Sequence, residues 1–169
     1  SLLSADPSSL GRIDRTMFSQ QTLMELSFNF DDGHPSFMKD TVGDFTDITT
    51  WRNLEFDLNG NVSSLKVNYL YEPIKILNFQ WFPSCMKELS LTSNLLVGSL
   101  PTPLLPTSLQ GLWVCATNLT GTIDFSSLPA KIESITLFAT KFEGPIDFHK
   151  LSPNLKWLRV RNNRFSGSV

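Results

Sequence analysis

What most constrains this chain is that it repeats itself at a fixed interval. "GTIDFSSLP" (residues 121–129) is echoed by "GPIDFHKLS" (144–152), 23 positions later. Working outward from the echo, "MKELSLTSNLLVGSL" begins at Met86, "LQGLWVCATNLTGTI" at Leu109, "IESITLFATKFEGPI" at Ile132 and "LKWLRVRNNRFSGSV" at Leu155, with 23 residues between each start and the next. One step earlier, "VSSLKVNYLYEPIKI" begins at Val62, a spacing of 24, and keeps Val62, Leu65 and Val67 but loses the later half of the phrase. A catalytic motif has no reason to recur in register. A unit of architecture does, and self-similarity at this period is the signature of a stacked fold.

The frame reads L-x-x-L-x-L-x-x-N-x-L-x-G-x-I. Its L-x-L core alternates as a half-buried strand does, with Leu112 and Val114 inward and Gly111, Trp113 and Cys115 outward. A unit this short cannot bury its own apolar side, so copies must stack into a continuous core behind a parallel sheet. The ninth slot holds Asn94, Thr117, Thr140 and Asn163, side chains able to bond the backbone where it turns out of the strand. The Val62 copy has Leu70 there and lacks the glycine, which predicts an irregular first turn. Asp124 and Asp147 are expected to cap short helical turns on the far side, behind Ile123 and Ile146.

These residues resemble the leucine-rich repeat family over roughly residues 51–169. The G-x-I/L extension (Gly98–Leu100, Gly121–Ile123, Gly144–Ile146, Gly167–Val169) is similar to the variant of plant receptors and many protozoan proteins, and the I-D-F…L-P wording to the protozoan branch. The resemblance implies an α/β solenoid: a right-handed leucine-rich repeat arc with a parallel β-sheet on its concave face and a helical and hairpin N-terminal cap. It divides the chain into a cap, 1–61, and five repeats, 62–169, the last one truncated. Trp51, Leu54, Phe56, Gly60, Val62, Leu65 and Val67 resemble the plant-type cap, with Phe56 where secreted relatives carry a cysteine, so the cap disulfide is missing.

Residues 1–50 do not repeat. "DRTMFSQQTLMELSFNF" (14–30) reads as a helix with Asp14 as its N-cap. "DDGHPS" (31–36) reads as a turn and "FMKDTV" as a further short helix. "WRNLEFDLNGNVSSLKV" (51–67) reads as two strands around Asn59-Gly60.

The net charge of −2 and pI near 5.6 give no general attraction to nucleic acid, and no apolar run approaches the roughly 18 residues that span a bilayer. No nucleophile–base pair, phosphate-binding glycine loop or metal-ligand spacing is present, so no catalytic residue, cofactor or metal is assigned. Cys85 and Cys115 fall at slots about 23 Å apart along extended chain, beyond disulfide reach, and free thiols lean toward an intracellular, reducing compartment. The sequons Asn61-Val62-Ser63 and Asn118-Leu119-Thr120 point the other way, to a secreted or surface protein. The absence of a signal peptide also favours the interior, and the stop at Val169, midway through a repeat, leads to the expectation that the natural chain continues or that a partner covers the open edge.

The resemblance implies a non-catalytic protein-interaction module that docks its partner on the concave face. Alternatives are a structural subunit of a larger assembly, or the recognition part of a longer receptor or enzyme. The candidate contact residues are Lys66, Tyr69, Glu88, Trp113, Phe138, Trp157, Arg159 and Arg161. Trp113, Phe138 and Trp157 are large aromatics at positions expected to face water. Arg159 and Arg161 join Lys156 and Arg164 in a C-terminal stretch without an acid, which suits an acidic partner near that end.

Overall fold

The computed structural model describes residues 14–28, 38, 44–68, 77–92 and 95–167. The strands among them are β1 (Leu54–Phe56), β2 (Val62–Asn68), β3 (Glu88–Thr92), β4 (Val97–Gly98), β5 (Gly111–Cys115), β6 (Asn118–Thr122), β7 (Ser134–Phe138), β8 (Lys141–Pro145), β9 (Trp157–Arg159) and β10 (Arg164–Ser166). They form a six-stranded sheet, β1-β2-β3-β5-β7-β9, and a four-stranded sheet, β10-β8-β6-β4. All pairings are parallel except β1 with β2. From β3 onward each rung gives one strand to each sheet, and equivalent residues pair side by side: Leu89 with Leu112, Leu112 with Ile135, Ile135 with Leu158.

Inward alternation makes the core. Leu89, Leu91, Leu112, Val114, Ile135 and Leu137 of the first sheet meet Leu96, Leu119 and Phe142 beside the second, and all are buried. The third side of each rung is a 3₁₀ turn: Phe79–Trp81, Thr102–Leu104, Phe125–Ser127 and Phe148–Lys150. The aspartates behind Ile123 and Ile146 cap two of these turns as expected. Asp124 accepts from Ser126 N at 3.0 Å, and Asp147 from His149 N at 3.0 Å. Gly121 and Gly144 adopt φ of +88° and +92°, the left-handed region that glycine enters without strain.

The N-terminal helix starts later than the sequence predicts. Asp14 caps only a 3₁₀ turn, Arg15–Met17, and Phe18 is extended. The α-helix, α1, runs Gln20–Ser27 and is capped by Ser19, whose Oγ accepts from Thr22 N at 3.1 Å. The expected loop at 31–36 and most of the expected helix at 37–42 lie outside the described residues, as do Leu70 and the turn after β2. The hairpin forms around Asn59-Gly60: Asp57 N donates to Asn61 O at 2.8 Å, Gly60 N donates to Asp57 O at 3.0 Å, and Gly60 takes φ +77°.

Asp57 organises that turn. Its Oδ1 accepts from Asn59 N and Asn61 N, each at 2.9 Å. The Asn61 backbone and then its carboxamide hold the carboxyl below the ordinary aspartate range. A depressed carboxylate contributes stability above its unfolded value and loses it as pH falls through the folded one. Acidification below about pH 4 is therefore expected to loosen the hairpin. In an NMR titration, the Asn59 and Asn61 amide shifts should move together with Asp57 protonation, and Asp57→Asn should abolish that step.

Candidate functional site

Alternation along β2, β3, β5, β7 and β9 points every second residue away from the core, and parallel register aligns those residues in rows. One row runs Ser64, Glu88, Gly111, Ser134, Trp157; the next Lys66, Ser90, Trp113, Thr136, Arg159; the third Asn68, Thr92, Cys115, Phe138. The three aromatics singled out from the sequence thus fall in three different rows. No ring contact forms among them, and each meets a different environment.

Trp113 is half-buried because its indole lies over Gly111. A Cβ built on Gly111 would come within 2.2 Å of the Trp113 ring. Gly111 faces outward by register but is covered, so this end of the face is a flat apolar surface rather than a protruding side chain. Phe138 and Trp157 do protrude, at 40% and 66% exposure. Tyr69 and Asn94 lie outside the described residues.

The charges along the face also divide. Lys66 Nζ sits 2.5 Å from Glu55 Oε1 across the β1–β2 hairpin, and that hydrogen bond is the main reason its ammonium titrates above the ordinary lysine value. Glu88, one strand over, accepts from Ser64 Oγ at 3.5 Å. Lys156 pairs with Glu133 at 2.7 Å. Arg159 and Arg161 are exposed and form no ion pair among the described residues. With Cys115, Thr136 and Phe138 they line a depression of about 560 Å³. Burial pushes the Cys115 thiol up, and Cys85 behaves the same way; both are free.

What holds the end of the face in place is the turn after each strand. Ala116, Ala139 and Asn162 occupy the same slot of successive rungs and all take left-handed backbone, at φ of 52°, 51° and 58°. Ala116 N donates to Phe138 O, and Ala139 N donates to Arg161 O, so each turn is tied to the next strand end. The sequence offers only a faint sign of this: a small or turn-favouring residue at a constant offset. Behind the turn, Asn163 Nδ2 donates to Leu137 O at 2.8 Å, and its Oδ1 accepts from Phe142 N at 3.3 Å and from the Thr140 hydroxyl. Thr117 Oγ1 accepts from Leu119 N at 3.4 Å.

Among the described residues no three His, Cys, Asp or Glu side chains gather to hold a metal, and no helix is long and apolar enough to cross a membrane. The face presents aligned rows, two projecting aromatics, and two guanidiniums without an ion-pair partner among the described residues.

No family profile and no curated protein matches the chain. Solved structures do. The LRR ectodomain of the plant membrane receptor kinase GASSHO1/SCHENGEN3 from Arabidopsis thaliana, in complex with CASPARIAN STRIP INTEGRITY FACTOR 2, matches with a TM-score of 0.70 at 25% identity, over 89% of this chain and 19% of that one. This chain is a leucine-rich repeat solenoid. The LRR ectodomain of the receptor kinase SOBIR1 from Arabidopsis thaliana matches the solenoid with a TM-score of 0.60 at 23% identity, over 90% of this chain and 84% of that one. Pollen Receptor Kinase 3 matches at 0.61 and 21%, over 70% and 59%. The solenoid thus spans 59% of one of these chains and only 19% of another. Two of the three are named as ectodomains of receptor kinases, so the lean toward an intracellular compartment finds no support among them.

Proposed function

We propose that this leucine-rich repeat solenoid is a non-catalytic recognition module that binds a protein or peptide partner on the outer, concave face of its six-stranded sheet. Acidic groups of the partner meet Arg159 and Arg161. In this reading residues 1–61 close the N-terminal end and residues 62–169 form five repeats. The GASSHO1/SCHENGEN3 ectodomain, of the same fold, stands in complex with CASPARIAN STRIP INTEGRITY FACTOR 2.

The observation that carries the reading is the uneven charge pairing along one face. Lys66 already has Glu55, whereas Arg159 and Arg161 border a depression with no carboxylate of their own. A guanidinium offers a planar fork of donors that fits a carboxylate bidentately, and such charge-assisted bonds are about twice as strong as neutral ones. Phe138 and Trp157 supply apolar anchors beside them, Trp113 gives a flat apolar shelf, and Glu88 with Lys66 marks the N-terminal end of the track. Tyr69, which lies outside the described residues, belongs to the proposed contact residues as well.

Panning the purified protein against a displayed library of random peptides tests this. Enriched sequences are expected to carry Asp or Glu next to an apolar residue, and to bind more weakly as salt rises. The double variant Arg159→Ala/Arg161→Ala should bind the best peptide at least about tenfold more weakly, or about 1.4 kcal/mol, with an unchanged melting temperature because both side chains are exposed. Enriched peptides without acids, or equal affinity in the double variant, would falsify the arginine role.

A further inference from the structure

The asparagines of the two sequons stand in opposite structural situations. Asn61 closes the hairpin turn with both ends of its carboxamide in use. Its Oδ1 accepts from Gln20 Nε2 at 3.1 Å, and its Nδ2 donates to Asp57 Oδ1 and Oδ2 at 3.3 and 3.2 Å. Gln20 in turn accepts from Val62 N through Oε1 at 2.6 Å. The Asn61 amide is thus the joint between α1 and the β1–β2 hairpin. The hydroxyls do not distinguish the two sites: Ser63 Oγ donates to Glu55 O at 3.1 Å and Thr120 Oγ1 to Gly98 O at 3.3 Å, so the difference lies in the asparagines.

Asn118 opens β6 on the four-stranded sheet. Leu119 between the sequon residues is buried in the core, so alternation sends Asn118 and Thr120 to the outer side together. The Asn118 backbone is anchored by donation to Leu96 O at 2.9 Å, while its carboxamide makes no hydrogen bond among the described residues. Its partner in register, Val97 of β4, is itself exposed, so open space lies beside it.

We propose that Asn118 is an N-glycosylation acceptor and that Asn61 stays unmodified in the folded protein. The donor is a lipid-diphosphate-linked oligosaccharide. A bond forms between Asn118 Nδ2 and the anomeric carbon, and the bond from that carbon to the diphosphate oxygen breaks. The lipid diphosphate leaves with the electron pair, one Nδ2 proton passes to a base, and nothing is oxidised or reduced. The same bond at Asn61 would replace an Nδ2 hydrogen that Asp57 uses and set a sugar between Asp57 and Gln20, so a chain modified there does not reach this fold. A sugar on β6 projects from the flank and leaves the six-stranded face open.

Secretion of the full chain from a eukaryotic host tests the proposal. One mobility shift is expected, removed by an N-glycan amidase, and glycopeptide mass spectrometry should place it at Asn118. Asn118→Gln and Thr120→Ala should each abolish the shift, Thr120→Ser should retain it, and Asn61→Gln should leave it unchanged while lowering the melting temperature. A glycan on Asn61 of the secreted folded protein, or an unmodified Asn118, overturns the assignment. Peptide binding by Asn118→Gln should match that of the parent chain, so this test fails or succeeds independently of the concave-face reading.

Discussion

Trp51→Ala is expected to destabilise the protein by about 3–5 kcal/mol, the range for deleting a large buried aromatic. Trp51 is 1% exposed and ties the N-terminal segment to the first rungs. Its ring stands edge-on to Phe28 at 6.2 Å and beside Phe45 at 6.2 Å, and Phe28 continues to Phe82 at 6.4 Å. The indole Nε1 donates to Thr46 O and Thr46 Oγ1, both at 3.1 Å. Two losses therefore combine: the cavity left by the ring, and the indole's two hydrogen bonds to Thr46, whose oxygens keep only Gln21 Nε2 and Thr50 Oγ1 as donors. Trp51→Phe separates them, because it keeps most of the ring contacts and removes only the donor, at about 1 kcal/mol. Urea unfolding followed by circular dichroism reads both variants. A cost for Trp51→Ala no greater than that for Trp51→Phe would mean that the aromatic cluster contributes little.

The strands were legible because a period of two is nested inside a period of 23. Leu112 and Val114 in one rung, and Ile135 and Leu137 in the next, leave one register that buries all four. The hairpin was equally legible from Asn59-Gly60. The start of α1 was not, since Asp14 and Ser19 are both able caps. What decides between them is a tertiary contact: Phe18 leaves the helical path and packs edge-on against Trp81 at 6.1 Å. On the candidate face, alternation told which side Trp113 is on but not that it would lie down over Gly111. The missing Cβ two residues earlier was the readable sign. The pairing of Lys66 with Glu55 was not legible, because Glu55 reaches it only through the antiparallel register of a non-repeating strand. Arg159 and Arg161 stand in a stretch without acids, and among the described residues neither has an ion-pair partner.

The ninth slot is where a polar residue matters most to the stack, and Asn163→Leu is expected to cost about 2–4 kcal/mol. Asn163 spans two rungs. It donates to Leu137 O of the preceding strand at 2.8 Å and to Val160 O and Arg161 O of its own turn at 3.3 Å each, while its Oδ1 receives Phe142 N. Leucine fits the volume and satisfies none of these groups, so Leu137 O and Phe142 N lose their side-chain partner next to the core. Thr140, which is buried, loses the acceptor for its hydroxyl as well. Solenoid rungs touch only their neighbours, so the loss should stay local. Hydrogen exchange is expected to speed up in β8, β9 and β10 while β2 and β3 keep their protection. Asn163→Asp makes the informative contrast: it keeps the acceptor for Phe142 N and Thr140 but turns a donor toward Leu137 O into a second acceptor, so it should destabilise at neutral pH and recover partly as the carboxyl is protonated. If Asn163→Leu unfolded at the same denaturant concentration as the parent chain, the ninth slot would be a packing position and the bonds that cross it would be incidental.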